Sequence, residues 1–305
     1  DGAQLNLEDA EHVISFVNEI GDELAIEKGD FDSLLNEGTI QYIGSKLDQL
    51  YGDAVKSVQH QSDQKLKENI KVVFSPLHGA SGETVQTIMT EAGYTNFDYV
   101  TEQMKPDGEF PTLKSPNPEE ASSFELAKKK GLKTDADLLI TVDPDGDRVG
   151  IAVKQDEDFV LLTGNQTGAI LIDYLLTQIK ENGEMPANGR VFKTIVTSDL
   201  GRVIAEYHGA STEDVLTGFK FIGEKIKQYE ETKEFQFLFG YEESYGYLIK
   251  PFARDKDAIQ SVIAITEAAA YYKSHDKSLI DVLHDLYERH GYYLEGLVSV
   301  TKKVA

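Results

Sequence analysis

The sequence contains no cysteine, which excludes disulfide scaffolds, zinc ribbons and thiol nucleophiles and fits a reducing compartment. It has no apolar run long enough to span a bilayer and no basic-then-apolar signal at its start. A soluble, cytoplasmic protein is therefore expected. Positive charge is scarce: 30 Lys and Arg against 53 Asp and Glu give a formal net charge of -23 at pH 7. Such a surface repels nucleic-acid phosphates and anionic membranes, so neither is expected as a partner. It also repels phosphorylated small molecules at long range. Any phosphate site must then rely on a local cation, a metal or a helix N-terminus. There is no strict repeat and no low-complexity tract, and no histidine pair has metal-ligand spacing. Gly79 to Gly82 departs from the G-x-G-x-x-G pattern, which removes a Rossmann dinucleotide site.

What is present is an ordinary globular balance, 40% hydrophobic and 27% charged over 305 residues, enough for about two domains. The chain starts at Asp1 without methionine and stops at Ala305 shortly after an apolar stretch, so it is expected to be a piece of a longer protein. Asn6 predicts a helix N-cap, with Ala10, Val13, Ile14 and Val17 on one face. A second helix carries Leu47, Leu50, Tyr51, Ala54, Val55 and Val58, and polar His60 to Asn69 reads as a linker. Strands and helices then alternate. Strands are predicted at Ile70 to Phe74, Phe97 to Val100, Leu138 to Val142 and Val191 to Val196. Hairpin pairs are expected at 149–153 with 159–162 and around the Glu242 loop. Helices end near Gly93, start near Glu119 and run from Asn165 to Lys180 and Leu200 to Tyr207, with two more closing the chain. Lys105 to Pro118, with four prolines, is a loop. Alternating strands and helices imply an α/β class.

Asp143, Asp145 and Asp147 follow the apolar strand, separated by Pro144 and Gly146. Three carboxylates at alternate positions repel one another unless a cation gathers them. Oxygen donors without Cys or His point to magnesium, ahead of calcium or manganese. The bland alternative is a solvated acidic turn. A calcium EF-hand loop fails, because its closing Glu would fall at Lys154. A phosphatase of the haloacid dehalogenase type also places Asp-x-Asp after a strand, but Asp147 stands where that class has Thr or Val.

The stretch Leu138 to Arg148 resembles the metal loop of the α-D-phosphohexomutases, the phosphoglucomutase/phosphomannomutase family. Four further segments agree in order: Ser75 to Gly79, Ser115 to Glu119, Thr217 to Gly223 and Gly240 to Gly246. The set is most similar to the long bacterial phosphoglucomutase branch. This resemblance implies consecutive α/β domains, each a mixed β-sheet between helices. Residues 1–60 would be the helical tail of domain one, 61–185 domain two with the magnesium loop, and 186–305 domain three with the sugar loop. The family's phosphoserine loop, Thr-Ala-Ser-His-Asn-Pro, and its Arg-x-Ser-Gly-Thr phosphate loop do not occur in the sequence. The missing domains one and four are thus expected as partners, and the chain alone as inactive.

In the implied reaction a phosphoserine phosphorylates a hexose phosphate. A hexose 1,6-bisphosphate then serves as intermediate and activator, and the other phosphoryl group returns to the serine. The resemblance assigns Mg2+ to Asp143, Asp145 and Asp147, and phosphoryl contact to Arg148, which otherwise steadies the acidic loop. It assigns sugar hydroxyls to Glu242 and Ser244, substrate contacts to Thr217, Gly218 and Lys220, and acid/base work to Lys256. A lysine serves as a base only where its pKa is lowered, and flanking Asp255 and Asp257 oppose that, leaving a plain cation as the other reading. His78 either lines a turn whose N–H groups face an anion or is a structural turn residue. The competing functions are an Asp-x-Asp phosphatase and a non-catalytic sugar-phosphate-binding module.

Overall fold

The structure is a computed structural model and describes residues 2–296. Its helices are α1 (Leu7–Glu19), α2 (Phe31–Asn36), α3 (Ser45–Lys56), α4 (Gln64–Asn69), α5 (Gly82–Glu91), α6 (Glu125–Thr134), α7 (Gly164–Glu181), α8 (Leu200–His208), α9 (Phe219–Thr232), α10 (Ala258–Lys273) and α11 (Leu279–His290). The strands are β1 (Val72–Ser75), β2 (Phe97–Tyr99), β3 (Leu138–Val142), β4 (Val149–Gln155), β5 (Asp158–Leu161), β6 (Gly189–Thr194), β7 (Ser211–Val215), β8 (Gln236–Tyr241) and β9 (Tyr247–Leu248). They form two mixed sheets, in the orders β2-β1-β3-β4-β5 and β7-β6-β8-β9. In the first, β1 runs parallel to β2 and β3, and β4 and β5 return antiparallel. The second has β6 parallel to β7 and β8, with β9 antiparallel at the edge.

Alternation along the strands sets the layers. Val72 and Phe74 of β1, and Leu138, Ile140 and Val142 of β3, enter one large core, while Val73 and Leu139 enter a smaller one beneath Phe124 and Ala127. Strands buried on both faces read as unbroken apolar runs, which is why β3 was legible. In the second sheet Val191, Phe239 and Tyr247 join the same large core, and Phe192 and Leu248 face Phe219, Ile222 and Ile226 of α9. One apolar core therefore runs from the first sheet to the second, through α7, α10 and α11. Each fully buried Leu, Ile or Phe adds about 2 kcal/mol of transfer free energy, so this shared core rather than any polar bond holds the sheets together.

Several expectations needed correction. The 60–69 linker contains α4, whose first turn is capped by the Asp63 carboxylate accepting from the Lys65 N–H. β7 is Ser-Thr-Glu-Asp-Val, too polar to announce a strand. It is an edge strand held by its ladder to β6 and by ion pairs from Arg190 to Glu213 and Lys193 to Asp214. The Thr217–Gly223 segment, read only as a loop, opens α9, whose buried Phe219, Ile222, Ile226 and Tyr229 carry helical spacing. The helix expected near Glu119 begins with a 3-10 turn at Ala121–Phe124. α1 starts as expected, with Asn6 accepting from Asp9, yet Val13, Ile14 and Val17 lie about half exposed.

Buried Glu267 of α10, 1% exposed, accepts from the N–H groups of His60 and Gln61, both at 2.9 Å, and from the Tyr174 hydroxyl at 2.7 Å. It fastens the 60–61 segment and α7 to α10. Glu267→Ala strands those donors, each worth about 1–3 kcal/mol when buried and unpaired. The variant should lower the urea midpoint by the equivalent of about 3 kcal/mol or more. An unchanged midpoint by circular dichroism would show that this clamp does not stabilise the fold.

Candidate active site

The acidic loop leaves the buried end of β3. Gly146 adopts φ +78°, a left-handed conformation that a side chain disfavours, and its N–H closes a turn on the Asp143 carbonyl at 3.1 Å. The Asp143 carboxylate turns back and accepts from the N–H groups of Asp147 (3.0 Å) and Arg148 (2.9 Å). This wrap brings Asp143, Asp145 and Asp147 together, one oxygen of each within 4.8 Å of the others. Burial, opposed by the Arg148 N–H and reinforced by the charges of Asp147 and Asp145, pushes the Asp143 carboxyl up to about 7. Three crowded hard-oxygen donors, with the charge of Asp143 disfavoured by burial and by its neighbours, fit a divalent cation such as Mg2+.

The turn at Leu77–Ala80 braces this loop. Leu77 and His78 both have left-handed φ, +48° and +63°, and the Ala80 N–H donates to the Pro144 carbonyl at 2.9 Å. The neighbouring N–H groups are already used: His78 donates to Gln103 and Gly79 to Pro76. The anion-facing reading of this turn therefore fails. Instead the His78 ring joins the 105–112 loop, with Nδ1 donating to the Lys105 carbonyl at 3.2 Å and Nε2 2.9 Å from the Thr112 hydroxyl.

From the second sheet, the loop after β8 reaches the acidic loop through backbone bonds. Arg148 and Gly246 form an antiparallel bridge, and Val149 N–H donates to the Tyr245 carbonyl at 3.0 Å. Ala258 N–H donates to the Gly146 carbonyl at 3.1 Å. Glu242, 7% exposed, accepts from the Gly218 N–H at 3.1 Å, at the N-terminus of α9. Burial pushes its carboxyl upward, against the pull of Lys256 and the Gly218 N–H. Thr217 lies exposed just before Gly218, half-buried Lys220 is the second residue of α9, and half-buried Ser244 follows Glu243 on the β8–β9 loop.

Lys256 joins the two sets. Its side chain is 8% exposed, with Nζ 3.0 Å from Asp147 and 3.2 Å from Asp255. Gly246 leaves room for it, since a Cβ there would collide with the lysine stem. Burial opposes the ammonium, but Asp147 and Asp255 outweigh it and hold the pKa above the usual lysine value. A lysine so placed stays charged at neutral pH, which favours the plain-cation reading over the base. Asp257, expected to flank it, instead caps α10 and accepts from the Tyr51 hydroxyl at 2.9 Å.

Two participants were missed in the sequence. Glu119 receives Nη1 of Arg148 at 3.2 Å, whereas Arg148 Nε is 3.8 Å from Asp147. Glu243 turns away from Glu242 and accepts from the buried hydroxyls of Thr194 (3.1 Å) and Thr197 (3.0 Å). Glu119 belongs to the Ser115–Glu119 motif, which marked the segment without a role; nothing local marked the threonines. A cavity of about 740 Å³ between Val58, Leu175, Phe192, Phe237 and Pro251 contains none of the site residues.

Residues 49–156 match the description Phosphoglucomutase/phosphomannomutase, alpha/beta/alpha domain II, and residues 163–290 match domain III of the same set. The chain belongs to the phosphoglucomutase/phosphomannomutase family. It is 36% identical over 301 residues to a phosphoglucomutase of Staphylococcus saprophyticus, covering 98% of this chain and 53% of that protein. To a phosphoglucomutase of Staphylococcus epidermidis it is 37% identical over 302 residues, covering 99% and 54%. The chain thus spans about half the length of these relatives. Among solved structures, the Paramecium parafusin (phosphoglucomutase) aligns with TM-score 0.61 at 19% identity, over 80% of this chain and 42% of that one. A phosphoglucomutase/phosphomannomutase family protein from Burkholderia thailandensis aligns at 0.58 and 18%, over 79% and 46%. These likenesses support the fold.

Asp145 is exposed and carries no backbone clamp, unlike Asp143. Asp145→Ala should therefore leave the thermal midpoint unchanged and weaken Mg2+ or Mn2+ binding by about tenfold or more, read by calorimetry. Undiminished affinity would sink the metal assignment.

Proposed function

We propose that the protein carrying this chain is a magnesium-dependent phosphohexomutase, moving a phosphoryl group between the 1 and 6 positions of a hexose. The observation that supports it most is the backbone seam that sets the acidic loop, Arg148 and Lys256 beside the Glu242-x-Ser244 loop. A phosphoryl-transfer site and a sugar-recognition site share one rim. We propose that residues up to about 60 are the tail of a first domain and that the two sheets are domains two and three. The packing of α7 on α8 and α11 supports counting α7 with the third. The remaining domains would supply a phosphoserine and a further phosphate site, without which this chain is inactive.

On this reading Glu242, fixed by the Gly218 N–H, accepts hydrogen bonds from neighbouring sugar hydroxyls, and Ser244 contacts the same ring. The N-terminus of α9, with Thr217, Gly218 and Lys220, favours the anionic end of the substrate. Arg148 offers its fork to the transferring phosphoryl group. Lys256, held charged, offsets phosphate charge and donates rather than accepts a proton. Mg2+ bound by Asp143, Asp145 and Asp147 would supply further offset to the charge that develops on the transferring group. The hexose 1,6-bisphosphate serves as intermediate and activator.

The test is turnover of glucose 1-phosphate by the whole protein with Mg2+ and glucose 1,6-bisphosphate. Glu242→Gln should lower kcat/KM about 10- to 100-fold, the cost of about 1.5–3 kcal/mol for a lost charged hydrogen bond. Release of free phosphate by the present chain alone would instead establish the phosphatase reading. Saturable binding without turnover in the whole protein would establish the binding module.

A further inference from the structure

Arg148 stands between two carboxylates. Its Nη1 is 3.2 Å from Glu119, within hydrogen-bond reach, while its Nε is 3.8 Å from Asp147, beyond it. Glu119 does not reach this place by chance of rotamer. Its own N–H donates to Asn117 Oδ1 at 3.0 Å, and the Asn117 carbonyl takes both the Glu120 N–H and the Ser123 hydroxyl. The Pro118 carbonyl packs directly on Gly150 of β4, two residues beyond Arg148, where a Cβ would not fit. The turn carrying Glu119 is thus fixed to the strand that carries Arg148. Asp147 is engaged from its other side, by Lys256 at 3.0 Å.

We infer that Glu119 is a positioning residue, which holds the Arg148 guanidinium off the acidic loop so that Asp147 stays available to a cation and the fork stays at the rim. Without Glu119 the nearest anion for Arg148 is Asp147, and its Coulomb attraction at about 4 Å favours collapse. A guanidinium on Asp147 would compete with a divalent ion for the same oxygens. The alternative is an ordinary half-exposed ion pair, which adds little to stability and nothing to metal affinity. The effect on metal affinity, rather than on stability, separates the two.

This inference rests on the metal reading above, and its test uses the present chain with Mn2+ as the probe, followed by electron paramagnetic resonance. Glu119→Gln should weaken Mn2+ binding about fivefold with the thermal midpoint unchanged, and Glu119→Asp should recover part of the loss. In an Arg148→Ala background the same Glu119→Gln change should shift Mn2+ affinity less than twofold. Unchanged affinity in the single variant overturns the inference. So does a loss that persists without Arg148, since Glu119 would then act through its own field. If the wild-type chain binds no Mn2+, the metal reading fails, and the Arg148 Nε–Hε nuclear magnetic resonance signal decides alone. A shifted or broadened signal in Glu119→Gln supports the positioning role, and an unmoved one overturns it.

Discussion

The pairing of Arg148 with Gly246 joins two loops that belong to different sheets, and most of the site follows from that register. Once these residues are opposite each other, Val149 bonds to Tyr245 and Ala258 to Gly146. Asp147 and Lys256 are then neighbours of bonded residues and meet at 3.0 Å. Two backbone bonds at roughly 1 kcal/mol each cannot hold two sheets together. The continuous core does that, through Ile151, Val153, Ile263 and Leu283. The seam has a different task, which is to choose one register among the ways two apolar faces could pack. A slip by one residue would carry Lys256 away from the acidic loop.

Behind the rim, buried polar groups fix the β8–β9 loop. Lys193, 2% exposed, donates to the Thr197 carbonyl at 2.9 Å and is paired with Asp199 and Asp214 at 3.2 Å each. Thr197 and Thr194 in turn bind Glu243. A carboxylate anchored behind the loop leaves its neighbour Glu242 to face Gly218. Glu242 leaves the end of β8 and Glu243 opens the turn that follows, so the two carboxylates part, one to the scaffold and the other to the rim. The doublet therefore supplies a scaffold anchor and a rim carboxylate from two residues of one kind.

What the sequence disclosed was whatever depends on near neighbours. The acidic turn at Gly146, the cap at Asn6 and the apolar run of β3 are local patterns, and the structure has each of them. Glu242 and Ser244 were legible as a loop between strands. The polar strand β7 was not, because its stability comes from a ladder to β6 and charges on distant Arg190 and Lys193. The function of Glu119 and the meeting of Lys256 with Asp147 depend on contacts between remote segments, which no spacing rule encodes. Asp257 shows the opposite error. Proximity in sequence predicted influence on Lys256, but helix capping, satisfied by the Ile259 and Gln260 N–H groups, took that carboxylate elsewhere.

Charge balance bears on how so acidic a chain would hold the phosphorylated ligands proposed for it. At the rim, Asp143, Asp145, Asp147, Glu119, Glu242 and Asp255 outnumber Arg148 and Lys256. In water this excess would be screened, but Asp143, Glu242 and the Lys256 side chain are largely buried, where screening is weak. Burial is the first cause of the upward displacement of both the Asp143 and Glu242 carboxyls, reinforced by Asp147 and Asp145 at the one and by Glu243 at the other. A proton on Asp143 relieves the excess poorly, since that residue's Oδ1 already accepts two N–H groups and is arranged for the charged form. A divalent cation relieves it well, drawing all three loop carboxylates into one charge distribution that an incoming phosphate can approach. On the proposed reading a phosphate gains nothing by approaching the acidic surface elsewhere, while a divalent cation with Arg148 and Lys256 would offset most of the rim's charge.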